Sequence, residues 1–143
     1  MAGLRVGWAV GDPELVARLA ARKRNFHHSS LALAALVAAI GDTAHVGRTV
    51  DNNARQRPWL AAQLEALGVR VWPSQANFLL FECPDGAPAT EWEDRLLAYG
   101  VMVRGAFYLP HHIRVTVSTP DANQAFVAAM AELVTGESGP GGA

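Results

Sequence analysis

Ile113-Arg114-Val115-Thr116-Val117-Ser118-Thr119-Pro120 is the stretch on which the fold turns. Apolar residues at 113, 115 and 117 alternate with Arg114 and Thr116, the period-two pattern of a strand with one buried face. Thr119-Pro120 then opens a helix, proline being suited to a first helical position, and Phe126, Val127, Met130 and Leu133 line its apolar side.

Working back from this unit, residues 101–104 read as a strand and residues 90–99 as a helix ended by Gly100, with Asp85-Gly86-Ala87-Pro88 as the loop before it. Residues 69–72 and 77–83 read as two further strands, turned by Pro73-Ser74-Gln75. Upstream the texture is helical. A long helix begins near Asp42-Thr43 and stops at Gly68, with Val46, Val50, Leu60, Leu64 and Leu67 as its buried side and Pro58 expected to kink or divide it. Ser29 or Ser30 caps an alanine-rich helix that runs to Ile40 and breaks at Gly41. Residues 4–10 read as a short strand closed by Gly11-Asp12-Pro13. The helix that follows, with Leu15, Val16, Leu19 and Ala20 at helical spacing, is expected to end near Asn25 behind the basic cluster Arg22-Lys23-Arg24. Residues 136–143 are rich in glycine and expected to be disordered. Strand, several helices, then strands alternating with helices predict an α/β layered domain.

Composition narrows the function classes. Half of the 143 residues are apolar, 17% are charged and the net charge is −1, so neither a disordered chain nor a nucleic-acid partner is suggested. No run reaches the roughly 20 apolar residues of a membrane span, and MAGLRVGWAVG, interrupted by Arg5 and three glycines, is not a signal peptide, so a soluble protein is expected. Cys83, the one cysteine, rules out an internal disulfide, fits a cytoplasmic location and reads as a small buried hydrophobe. Eleven of the twelve basic side chains are arginines, and Lys23 is the single lysine.

Three runs taken together, Ala2-Gly3-Leu4-Arg5-Val6-Gly7-Trp8, Ser74-Gln75-Ala76-Asn77-Phe78-Leu79-Leu80 and residues 113–120, resemble the second half of histidinol-phosphate aminotransferases, and the resemblance extends over nearly the whole chain up to the tail. It implies the C-terminal part of a type I aminotransferase fold: residues 1–40 as a remnant of the large cofactor domain, 41–135 as the connecting helix and small domain, and 136–143 as tail. It also implies pyridoxal phosphate as cofactor, a small-molecule amino donor and keto acceptor as substrates, and a homodimer. In the family, a lysine shortly before the first motif forms the Schiff base; Met1 falls within that approach, so this lysine is expected upstream and the chain alone is expected to be inactive.

Two arginines acquire roles from this resemblance. Arg5 looks like the arginine that holds the cofactor phosphate, for which a forked guanidinium is well matched, with Gly3 and Gly7 allowing close approach. Arg114 looks like the arginine that clamps the substrate's carboxylate or phosphate; read from alternation alone, it is equally an edge-strand arginine facing water. Lys23, between two arginines at a helix end, reads as a solvated side chain and not as the Schiff-base residue. Adjacent histidines at 27–28 and 111–112 point apart along an extended chain, and no metal site is expected. Asn77 reads as a structural strand-start residue, and Trp8, Trp59, Trp72 and Trp92 as core or interface packing. His27-His28, Leu33 and Ser118 depart from the family pattern. Alternatives are an aromatic amino acid aminotransferase, a threonine-phosphate decarboxylase, or a noncatalytic binding or assembly module.

Overall fold

A computed structural model describes residues 2–23 and 28–136. The chain divides into two compact units, Met1–Gly47 and Arg48–Ala143.

The first unit is helical. A single 3-10 turn, Ala2–Leu4, precedes α1 (Pro13–Ala20) and α2 (Ser30–Gly41). Asp12 caps α1 by accepting from the Glu14 and Leu15 N–H groups at 2.9 and 3.2 Å, and Ser29 caps α2 by accepting from Ala32 at 3.1 Å. Two expectations are corrected. Residues 4–10 form no strand: among the described residues no neighbour pairs with them, and a strand without a partner leaves its backbone groups unsatisfied. Helix α1 ends at Ala20, where Arg22 and Lys23 N–H groups turn back to the Leu19 and Ala20 carbonyls; Asn25 lies outside the described residues, as does most of the glycine-rich tail.

Helix α3 (Thr43–Ala66) crosses from the first unit into the second, started by Asp42, whose carboxylate accepts from the His45 N–H at 2.9 Å. It runs through Pro58 undivided, so of the two expected effects, a kink or a division, the division does not occur; a proline removes only one helical hydrogen bond. Leu60 and Leu64 are fully buried, whereas Val46 and Val50 are exposed: the apolar stripe extends further along the helix than the surface it covers. Gly68, at φ +78°, ends the helix, with Val69 N–H donating back to the Leu64 carbonyl.

A four-stranded antiparallel sheet follows: β1 (Val71–Trp72), β2 (Phe78–Glu82), β3 (Arg104–Ala106) and β4 (Leu109–Thr116), in the order β1-β2-β4-β3. Between them run α4 (Ala89–Ala98) and, at the end, α5 (Pro120–Thr135), which begins at Thr119-Pro120 as expected. Strand β3 starts where the sequence predicted a strand to finish. Gly100 closes α4 at φ +73°, and Val101 and Val103, partly buried, pack against the core while the chain travels from helix to sheet. One sheet face, carrying Leu79, Phe81, Ile113 and Val115, meets Leu60 and Leu64 of α3, Trp92 and Leu96 of α4, and Phe126 and Met130 of α5. Cys83 and Trp92 are buried, as expected, Trp59 and Trp72 are partly buried, and Trp8 is 65% exposed. The α/β expectation holds, and its core lies in the second unit.

Candidate functional site

Alternation along β4 sends Ile113 and Val115 into the core and therefore His112, Arg114 and Thr116 to the opposite face. Register decides who joins them there. Arg114 stands across from Leu80 on β2 and, on its other side, from Arg104 on β3; His112 stands across from Glu82, and Thr116 from Phe78. Directly opposed residues of an antiparallel pair share a face, so two guanidinium-bearing side chains rise side by side from one sheet surface.

Each of these arginines rests on an aromatic ring. The Arg114 guanidinium carbon lies 5.0 Å from the Phe78 ring centre, and that of Arg104 lies 4.9 Å from Phe107, in the loop between β3 and β4. Among the described residues, neither forms an ion pair. Like charges placed opposite one another without a carboxylate between them are destabilising, and an anionic ligand would relieve that cost. Arg104 was not singled out from the sequence. Its importance comes from pairing with residue 114, and nothing within residues 101–104 encodes that register.

Next to this pair, Trp72 meets His112 edge-on at 4.9 Å, and Arg70 lies over Trp72 at 4.7 Å. His112 Nδ1 is buried without a hydrogen-bond partner, while His111 Nδ1 lies 3.1 Å from the Ala87 carbonyl oxygen. The two histidines thus diverge as strand geometry requires. Among the described residues, no three His, Cys, Asp or Glu side chains gather as a metal would need; His27 lies outside them.

The ends of β2 and β4 nearest Arg114 are tied to α3. Arg57 donates to the Ala76 carbonyl at 3.2 Å and Asn52 to the Ser118 carbonyl at 2.9 Å, while the Asn77 carbonyl accepts from Val117 N–H at 2.9 Å.

In the first unit, Arg5 is exposed and adopts φ +51° just after the 3-10 turn. A Cβ added at Gly3 or Gly7 would meet nothing within 4 Å, so the space beside these glycines is open. Lys23 is exposed, just beyond the end of α1.

Comparisons with known proteins bear on this arrangement. The family model described as "Aminotransferase class I and II" matches residues 1–130. The histidinol-phosphate aminotransferase of Symbiobacterium thermophilum is 45% identical over 132 residues, which cover 91% of this chain and 36% of that protein. Histidinol-phosphate aminotransferase 1 of Cupriavidus pinatubonensis is 39% identical over 133 residues, 91% of this chain and 35% of that protein. The chain thus spans little more than a third of the curated relatives it matches. Among solved structures, the histidinol-phosphate aminotransferase from Sinorhizobium meliloti in complex with pyridoxal-5'-phosphate superposes with a TM-score of 0.78 at 24% identity, over 96% of this chain and 39% of that one, a likeness of fold.

Proposed function

The chain belongs to the class I and II aminotransferase family, and from that premise we propose that it supplies the anion-binding part of a pyridoxal-phosphate-dependent histidinol-phosphate aminotransferase. Its fold is part of the type I aminotransferase fold, and the family depends on pyridoxal phosphate. The reaction proposed is amino transfer between glutamate and imidazole acetol phosphate, in histidine biosynthesis, by a cytoplasmic homodimer. The observation that carries the reading is the opposition of Arg104 and Arg114 on one sheet face, each without an ion-pair partner among the described residues.

Both proposed substrates are anions, one a dicarboxylate and one a phosphate ester. A guanidinium offers five N–H donors in a planar fork that matches either group, and two of them side by side favour a ligand of at least two negative charges. Arg114 is the more enclosed of the two and is assigned the orienting contact; Arg104, exposed beside it, receives the outer end of the charge. Holding the anionic end at fixed places orients the reacting carbon, which converts binding into rate. Arg5 is assigned the cofactor phosphate. Pyridoxal phosphate, when bound, supplies the electron sink on which amino exchange depends. Lys23 is given no part in this, and the cofactor-linked lysine is placed outside these 143 residues, so that the chain by itself is proposed to be inactive.

The test is amino transfer from glutamate to imidazole acetol phosphate by the protein that contains this chain, with Arg104→Gln and Arg114→Gln. Each should lower kcat/KM about ten- to a hundredfold, the range of a lost charge-assisted hydrogen bond; unchanged values would overturn the assignment. Borohydride reduction of the chain mixed with pyridoxal phosphate should leave Lys23 unmodified by mass spectrometry. A stoichiometric adduct there would move the active site elsewhere.

A further inference from the structure

We infer that Phe78 and Phe107 are positioning residues, each laying an aromatic face under one guanidinium so that Arg114 and Arg104 are each held at a fixed place on one sheet face with their donors free for an anion. The inference rests on the reading of these two arginines as an anion site.

Two features of the geometry call for such a device. First, the charges repel: Arg104 and Arg114 are directly opposed across β3 and β4, and long flexible side chains would relieve that repulsion by swinging apart into water. Second, the usual way to hold an arginine, a carboxylate, would neutralise it and occupy its N–H groups. The sheet face does carry a carboxylate, Glu82, but its ion-pair partner is Arg70, at 3.9 Å. An aromatic face attracts the cation without accepting its in-plane hydrogen bonds, so all five N–H groups remain available at the guanidinium edge.

Both rings are placed by features that serve no other evident purpose. Phe78 stands across from Thr116, two residues along β4 from Arg114, on the face opposite the core. Phe107 is 68% exposed at the tip of a two-residue hairpin loop, where a bare aromatic gains little from burial. Its neighbour Tyr108 adopts φ +63°, a left-handed conformation that side chains other than glycine and asparagine rarely take in a hairpin, and the register shifts between Gly105 and Ala106. Strain kept at the loop that brings an exposed ring onto an exposed arginine is the pattern expected where position serves binding.

The experiment uses the full 143-residue chain and inorganic phosphate as the probe. Side-chain Nε–H resonances of Arg104 and Arg114 are followed by NMR in the parent and in Phe78→Leu, Phe78→Tyr, Phe107→Leu and Phe107→Tyr, with the backbone amide spectrum as the check on folding. In the parent, the Arg114 and Arg104 protons should be displaced by the rings beneath them, and phosphate should shift both. Each leucine variant should lose the displacement at its own arginine and bind phosphate about two- to fivefold more weakly, the range of an exposed cation–π contact; each tyrosine variant should restore both. Phe107→Leu sits outside the core, so the test survives if Phe78→Leu fails to fold. If phosphate binds and the leucine variants keep parent affinity and arginine shifts, the positioning role is overturned. If phosphate leaves both arginines of the parent unmoved, the anion-site reading itself falls, whatever the rings do.

Discussion

Asn123 of α5 donates through its side-chain amide to the side-chain oxygen of Gln56 on α3 at 3.0 Å, joining two helices through residues 67 positions apart. Asn123 is 2% exposed, and the same side chain brackets residue 118: its oxygen accepts from the Ser118 N–H at 3.0 Å and its amide donates to the Ser118 carbonyl at 3.1 Å. One buried amide thus fixes the point at which the Arg114 strand hands over to the last helix, with every polar group paired, as burial demands.

Asn123→Ala should cost about 1–3 kcal/mol, because it removes a buried side chain that is the acceptor of the Ser118 N–H and the donor to Gln56, while the Ser118 carbonyl keeps its bond from Asn52. Gln56→Ala should cost less, since Asn123 keeps its bonds to Ser118. Urea unfolding of the two single variants and the double variant should give a coupling energy of at least about 0.5 kcal/mol; strict additivity would mean that the contact carries no stability.

Asp85 ties the loop before α4 to that helix. Its carboxylate accepts from the Trp92 indole N–H at 2.7 Å, from the Ala87 N–H at 3.0 Å and from Arg95 at 2.6 Å, and Arg95 also pairs with Glu91. These contacts, the Trp92 bond foremost, hold the Asp85 carboxyl well below the usual carboxylate range. Because the folded chain binds this proton less readily than the unfolded chain, the stabilisation is full above the ordinary aspartate pKa of about 3.9 and fades as the pH falls from there towards the lower folded value. Asp85→Asn should therefore be less stable than the parent at pH 7 and lose less on acidification below about pH 4; parallel stability profiles would contradict the linkage.

Cys83 is 2% exposed, and burial, with the Asp85 charge second, pushes its thiol up to about 11 from an ordinary 9.0. The thiolate is the reactive form. Iodoacetamide at pH 8 should therefore label the native chain at least about a hundredfold more slowly than the urea-unfolded chain, two pKa units being a hundredfold in thiolate at that pH. Equal rates would place the thiol at the surface.

Leu64 and Val50 lie on the same helix and belong to the same apolar pattern, yet one is 0% and the other 59% exposed. Leu64→Ala should destabilise the chain by about 2–5 kcal/mol and Val50→Ala by no more than about 0.5 kcal/mol, measured by denaturant midpoint. Similar losses at both positions would show that the helix is buried along its whole length.

Several local features were legible because their causes are local. Asp12, Ser29 and Thr119 start helices with bonds to backbone groups two or three residues away, and Gly68 and Gly100 end them by adopting a conformation open to glycine. The alternation at 113–117 told which residues of β4 turn inward. What misled was the assumption that a pattern implies its partner: residues 4–10 have the composition of a strand, but a strand exists only as half of a pair. The same limit hid the start of β3, since residues 101–104 have the composition of a strand, yet of these four only Arg104 has a partner on β4.

By itself, then, the sequence determined the helix boundaries set by short-range capping, the inward side of each amphipathic element, and the three motifs that place the chain among its relatives. The tertiary structure decided which half of α3 is covered, which carboxylate meets Arg70, and that Arg104 stands beside Arg114 on one face. The physical reason is range: caps and periodicities depend on residues a few positions apart, whereas strand register is chosen by the packing of the whole sheet, and a slip of one residue would have turned Arg104 away from its partner.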